Sequence, residues 1–115
     1  MATIKSYTDI SQSKKLAEIL PLESADMYYA LSEDESKNMI TFGKPNGFFN
    51  NTQVAWSFAA LLGVLDFPCL TQENENEWEV CVFDHDNDNY IEKTASNPVD
   101  ACVAMIERLH ELKML

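Results

Sequence analysis

The sequence predicts an α+β domain: a mainly antiparallel sheet of about four strands, in two hairpins, with two or three helices packed on one face. Three observations carry that expectation. Helical and strand periodicities alternate in the order helix, hairpin, helix, hairpin, helix. Proline, glycine and asparagine punctuate the boundaries between them. The chain has 115 residues, 46% of them hydrophobic, which suits a single domain over residues 1–115 with a core of its own.

Each element has a local cause. Residues 9–20 read as a helix, with Asp9 as N-cap and Gln12 completing a capping box. Leu16, Ile19 and Leu20 form its apolar stripe, and Pro21 ends it. Residues 25–31 fit a helical turn or a strand. The tyrosines at 28 and 29 and the later run 38–42 favour a pair of strands, with the polar stretch 32–37 as hairpin tip. Residues 43–51 form a loop carrying Phe48 and Phe49, adjacent apolar residues that either fold over the core or meet a partner.

A helix is expected over roughly 53–65, capped by Asn51 or Thr52. Val54, Phe58, Leu61, Leu62 and Leu65 line one face, and Trp56, Ala59, Ala60 and Val64 make the other apolar too. Residues 67–77 read as a connection. Trp78, Val80 and Val82 then alternate with Glu79, Cys81 and Phe83, which predicts a strand, and residues 90–95 are its partner. The last helix is the clearest element. Asn97 caps it, Pro98 opens it, and Asp100 meets the positive end of its dipole. Asp100, Glu107, Arg108 and Glu111 are expected to face water. The order of the last four elements suggests a ββα duplication, although the letters of the two halves align poorly.

Composition excludes several functions. The formal charge is −11, and nine carboxylates lie between Asp66 and Glu92 with no Lys or Arg among them. Such a segment repels phosphates, so direct nucleic-acid binding is disfavoured and a basic protein partner is favoured. Cys69, Cys81 and Cys102 are odd in number and form no C-x-x-C pair, which argues against a disulfide framework and for a reducing compartment. The start has no apolar signal core, and the longest apolar run, Val54–Leu65, is too short for a bilayer. A cytoplasmic protein without membrane contact is the expectation.

The stretch FDHDNDNYIE, residues 83–92, carries the sharpest motif. Asp84, Asp86 and Asp88 match the first three ligand positions of a calcium loop. Asn89 stands where that loop needs glycine, and Ala95 where it needs a bidentate glutamate. A strand also precedes it where a helix should. A hairpin tip fits better, since Asp and Asn hydrogen-bond nearby backbone there, with weak divalent-ion binding as the alternative. Cys69, Cys81, His85, Cys102 and His110 have no common zinc spacing, so packing is expected of them. No nucleophile, phosphate-loop or dinucleotide motif is present, so neither an enzyme nor a cofactor is expected.

Three stretches, SKKLAEILPLESADM (13–27), WSFAALLGVL (56–65) and NPVDACVAMIERLHEL (97–112), with Trp78 between the last two, resemble a family of small uncharacterised proteins from phages and prophages of gut Bacteroidales. The likeness runs over nearly the whole chain, and the acidic stretch departs from it. It implies a cytoplasmic bacterial setting and an accessory role for a phage or mobile element, and it supplies no site residues. Two functions follow as expectations. One is a non-enzymatic interaction protein that self-associates, anchored by Phe48, Phe49 and Trp56. The other is an acidic nucleic-acid mimic that occupies the basic groove of a host DNA-binding or defence protein.

Overall fold

The computed structural model describes residues 4–44 and 51–115. Helix α1, Ile10–Ile19, starts where the capping box places it. The Asp9 carboxylate accepts from the Gln12 amide at 2.8 Å, and the Gln12 side chain accepts from the Asp9 amide at 3.1 Å. Leu16 is fully buried on its inner stripe. Leu20, ahead of Pro21, is already extended at φ −102°, ψ 150°.

Strands β1 (Met27–Ala30) and β2 (Met39–Phe42) form the expected first hairpin, antiparallel, with Met27 opposite Phe42. The next segment corrects the sequence reading. Residues 52–55 are not helical. They form β3 (Thr52–Ala55), which pairs antiparallel along the other edge of β1. Helix α2 is only Phe58–Val64, capped by Ser57, whose hydroxyl accepts from the Ala60 amide at 3.2 Å. The cause is non-local. The Trp56 amide donates to Thr8 Oγ1 at 3.1 Å and its carbonyl accepts from the Thr8 amide at 3.0 Å, while the Phe58 amide donates to the Ser6 carbonyl at 2.9 Å. The N-terminal segment thus satisfies backbone groups that a helix would have paired internally.

A second correction falls in the connection expected over 67–77. It contains β4 (Cys69–Asn74), antiparallel to β5 (Glu77–Asp84). Strand β6 (Asn89–Ala95) flanks β5 on the other side. The described residues therefore hold six strands in two three-stranded sheets, β2-β1-β3 and β4-β5-β6, rather than one sheet of four. Helix α3, Pro98–Glu111, starts at Asn97, whose side chain accepts from the Asp100 amide at 2.8 Å.

The core joins Leu16, Trp56, Leu61, Val80, Val82, Val99, Cys102, Met105, Ile106 and Leu109. Full burial of an aliphatic or aromatic side chain of this size contributes about 1.5–3 kcal/mol. Asp100 is half-buried rather than turned to water. Lys5 Nζ donates to it at 2.9 Å and Gln12 Nε2 at 2.7 Å, which ties the start of α1 to the start of α3. Burial would raise the Asp100 carboxyl, but bonds from Lys5, Gln12 and Asn97 outweigh it and hold it below the usual carboxylate range.

Candidate functional site

Strand β5 sits in the middle of the second sheet, and its side chains alternate. Val80 and Val82 turn inward and are 0% and 4% exposed. Glu77, Glu79, Cys81 and Phe83 take the opposite parity and line the solvent face. The register sets their neighbours. Glu79 lies opposite Thr71 of β4 and Thr94 of β6, Cys81 opposite Cys69 and Glu92, and Phe83 opposite Tyr90. The face is thus graded, from glutamates near the β4–β5 turn, through two cysteines, to aromatic rings near the β5–β6 turn. Phe83 meets Tyr90 edge-on at 5.0 Å between centroids and His85 at 4.8 Å.

The electrostatics of this face run one way. Desolvation, then the charges of Glu92, Glu73 and Glu77, push the Glu79 carboxyl above its ordinary range. Lys93 follows Glu92 in the chain but lies opposite Val80, on the other side of the sheet. Among the described residues, the cations in ion pairs are Lys5, Lys15 and Arg108, and none of them pairs with a carboxylate of this face.

The aspartate motif forms the β5–β6 turn. Asp84 is 6% exposed, and one of its oxygens accepts from the amides of Asp86 at 3.0 Å and Asn87 at 3.3 Å. The other accepts from the Asn87 side chain at 2.7 Å. That last bond, ahead of the backbone bonds, pulls the Asp84 carboxyl below its ordinary value. Asp88 takes a left-handed φ of 52°, which aspartate tolerates. Asp86 and Asp88 stay exposed. Among the described residues, no three His, Cys, Asp or Glu side chains come together as an ion-binding group, so Asp84, Asp86 and Asp88 are not gathered around a cation position. The reason is physical: the turn consumes the acceptors of Asp84.

The other expected sites scatter. Phe48 and Phe49 lie outside the described residues. Trp56 is 0% exposed, with its indole N–H donating to Ser24 Oγ at 3.0 Å. It therefore offers no surface to a partner; Leu61 and Leu65 of its segment are buried with it, while Phe58, Leu62 and Val64 pack against the core and stay partly exposed. Cys102 is buried in the core, where desolvation pushes its thiol up to about 11. His110 is exposed at the end of α3. The sequence reading missed the Cys69–Cys81 juxtaposition, because β4 itself was missed.

A cleft of about 200 Å³ opens beside the β5–β6 turn, lined by Val82, His85, Asp86, Leu109 and Met114. Small-molecule pockets usually span about 300–1,000 Å³, so this one is too small to be a strong ligand site. No described helix is long and apolar enough to cross a membrane. Comparison with protein-family models, curated proteins and solved structures returned no match.

Proposed function

We propose that this chain is a protein-binding module without chemistry of its own, and that its working surface is the acidic solvent face of β4-β5-β6. The carrying observation is the clustering of Glu73, Glu77 and Glu92 around Glu79, none of them in an ion pair among the described residues. Surfaces that keep unpaired like charge lose stability by it, and a basic partner removes that cost. Tyr90, 62% exposed, adds a π-face for Arg or Lys at the other end. In the phage setting that the sequence resemblance implies, a DNA-binding host protein supplies such a basic groove.

The test is titration of the full chain against an arginine-rich peptide, with Glu79→Gln/Glu92→Gln as the variant. Exposed ion pairs contribute about 0.2–1 kcal/mol each, so the double variant should bind roughly 2- to 30-fold more weakly. Affinity of the parent should also fall steeply with salt. Equal affinity of variant and parent would end this proposal.

A second reading keeps self-association but moves it. Strand β2 is an edge strand on which Met39 and Phe42 are 70% and 71% exposed. Edges of this kind pair with a second chain unless they are blunted. Sedimentation at tens of micromolar decides it: a dimer dispersed by Ile40→Pro supports pairing through β2, and a monomer refutes it.

A further inference from the structure

We infer that Cys69 and Cys81 form a modification site: a cross-strand dithiol that a low-molecular-weight disulfide oxidises to an intramolecular bridge between β4 and β5. This rests on strand register and exposure, and it stands whether or not the face binds a basic partner.

The two residues are direct partners in the antiparallel ladder. Directly opposed residues hold their Cβ atoms about 4.5–5.5 Å apart, and a disulfide needs about 3.5–4.5 Å. The missing distance is small, and β4 is an edge strand, with no strand of the described residues paired on its far side. The register that joins them depends on one irregularity. The ladder slips between Gln72 and Asn74. Had the Asn74–Glu77 pairing continued without that bulge, Cys69 would have met Val82, on the inward side of the sheet.

Access sorts the three cysteines. Cys69 is exposed, Cys81 is partly covered, and Cys102 is buried. Burial first, then the Cys69 thiol and the carboxylates Glu79 and Glu92, push the Cys81 thiol up. Cys81 therefore carries little thiolate at neutral pH, and the exposed Cys69 meets the reagent first. The Cys69 thiolate, its proton lost to water, attacks one sulfur of the small disulfide and expels the other half as a thiolate. A mixed disulfide results. The Cys81 thiolate then attacks the Cys69 sulfur, forms the Cys69–Cys81 bond and expels the second half. Two protein thiols are oxidised and one small disulfide is reduced to two thiols.

The experiment incubates the native full chain with glutathione disulfide and reads intact mass and maleimide labelling. Before oxidation, the native chain should label at Cys69 and Cys81, and Cys102 only after denaturation. After oxidation, the chain should have lost two hydrogens, retain no glutathione and label at Cys102 alone when denatured. The Cys81→Ser variant lacks the closing thiol and should keep glutathione on Cys69. If the parent also keeps glutathione there, or links into covalent dimers, the two sulfurs do not meet and the inference is overturned.

Discussion

Glu79 carries its charge at a cost, because its carboxyl is raised in the folded chain above the ordinary 4.5. A carboxyl raised on folding binds its proton more tightly when folded, so stability is lost as pH climbs from the ordinary value through the raised one. Glu79→Gln removes that loss. Scanning calorimetry at low salt should give the variant a higher Tm than the parent at pH 7, and the gap should close below about pH 4, where both side chains are neutral. A lower Tm for the variant at pH 7 would show that Glu79 makes a favourable contact instead. Trp56 teaches a different lesson at the same scale. Its size and apolarity are plain in the sequence, but whether it points at the core or at a partner is not. Enclosed as it is, Trp56→Ala should destabilise the fold by about 3–5 kcal/mol in urea titration. A change under about 1 kcal/mol would return Trp56 to the surface.

Elements whose causes are local were legible in the sequence, and elements made by distant partners were not. The capping box at Asp9 and Gln12 and the Asn97–Pro98 start of α3 involve neighbours along the chain, and both stand where the letters put them. Val54 shares helical spacing with Phe58, Leu61 and Leu65, but pairing with β1 holds Thr52–Ala55 extended and Thr8 holds the Trp56 backbone just after them. Strand β4 ends in Thr71, Gln72, Glu73 and Asn74, a polar run without alternation, and only pairing with β5 makes it a strand. The candidate face was accordingly half legible: its β5 and β6 residues could be placed, but not the β4 residues opposite them. The bulge makes a sharp prediction here. Glu73 is the extra residue between Gln72, opposite Trp78, and Asn74, opposite Glu77. Deleting it should leave a regular ladder with Cys69 still opposite Cys81. Circular dichroism should stay that of the parent, and the intramolecular disulfide should still form. Deleting Glu79 from the central strand flips every later side chain of β5 to the other face, and that variant should not fold.

At the scale of the whole molecule, the fold sorts a charge of −11 unevenly. Among the described residues, the ion-paired cations lie at the helices: Lys5 bridges Asp9 and Asp100, Lys15 reaches Glu107, and Arg108 reaches Glu111. Among the described residues, the carboxylates of the second sheet make no ion pair. Such a field acts beyond contact distance, raising encounter rates with cations and lowering them with anions. Cys69, opposite Cys81 and beside that cluster, is a built-in reporter of it. In the Cys81→Ser variant, only the first exchange step remains at Cys69. Its rate with cystamine, a dication, should exceed its rate with anionic glutathione disulfide by about tenfold or more at low salt, after normalising each to a neutral model thiol. At about 1 M salt the Debye length falls to ~3 Å, and the normalised ratio should approach unity. A ratio indifferent to salt would mean that the carboxylates project no field over the sheet, and the steering of a basic partner to this face would lose its physical basis.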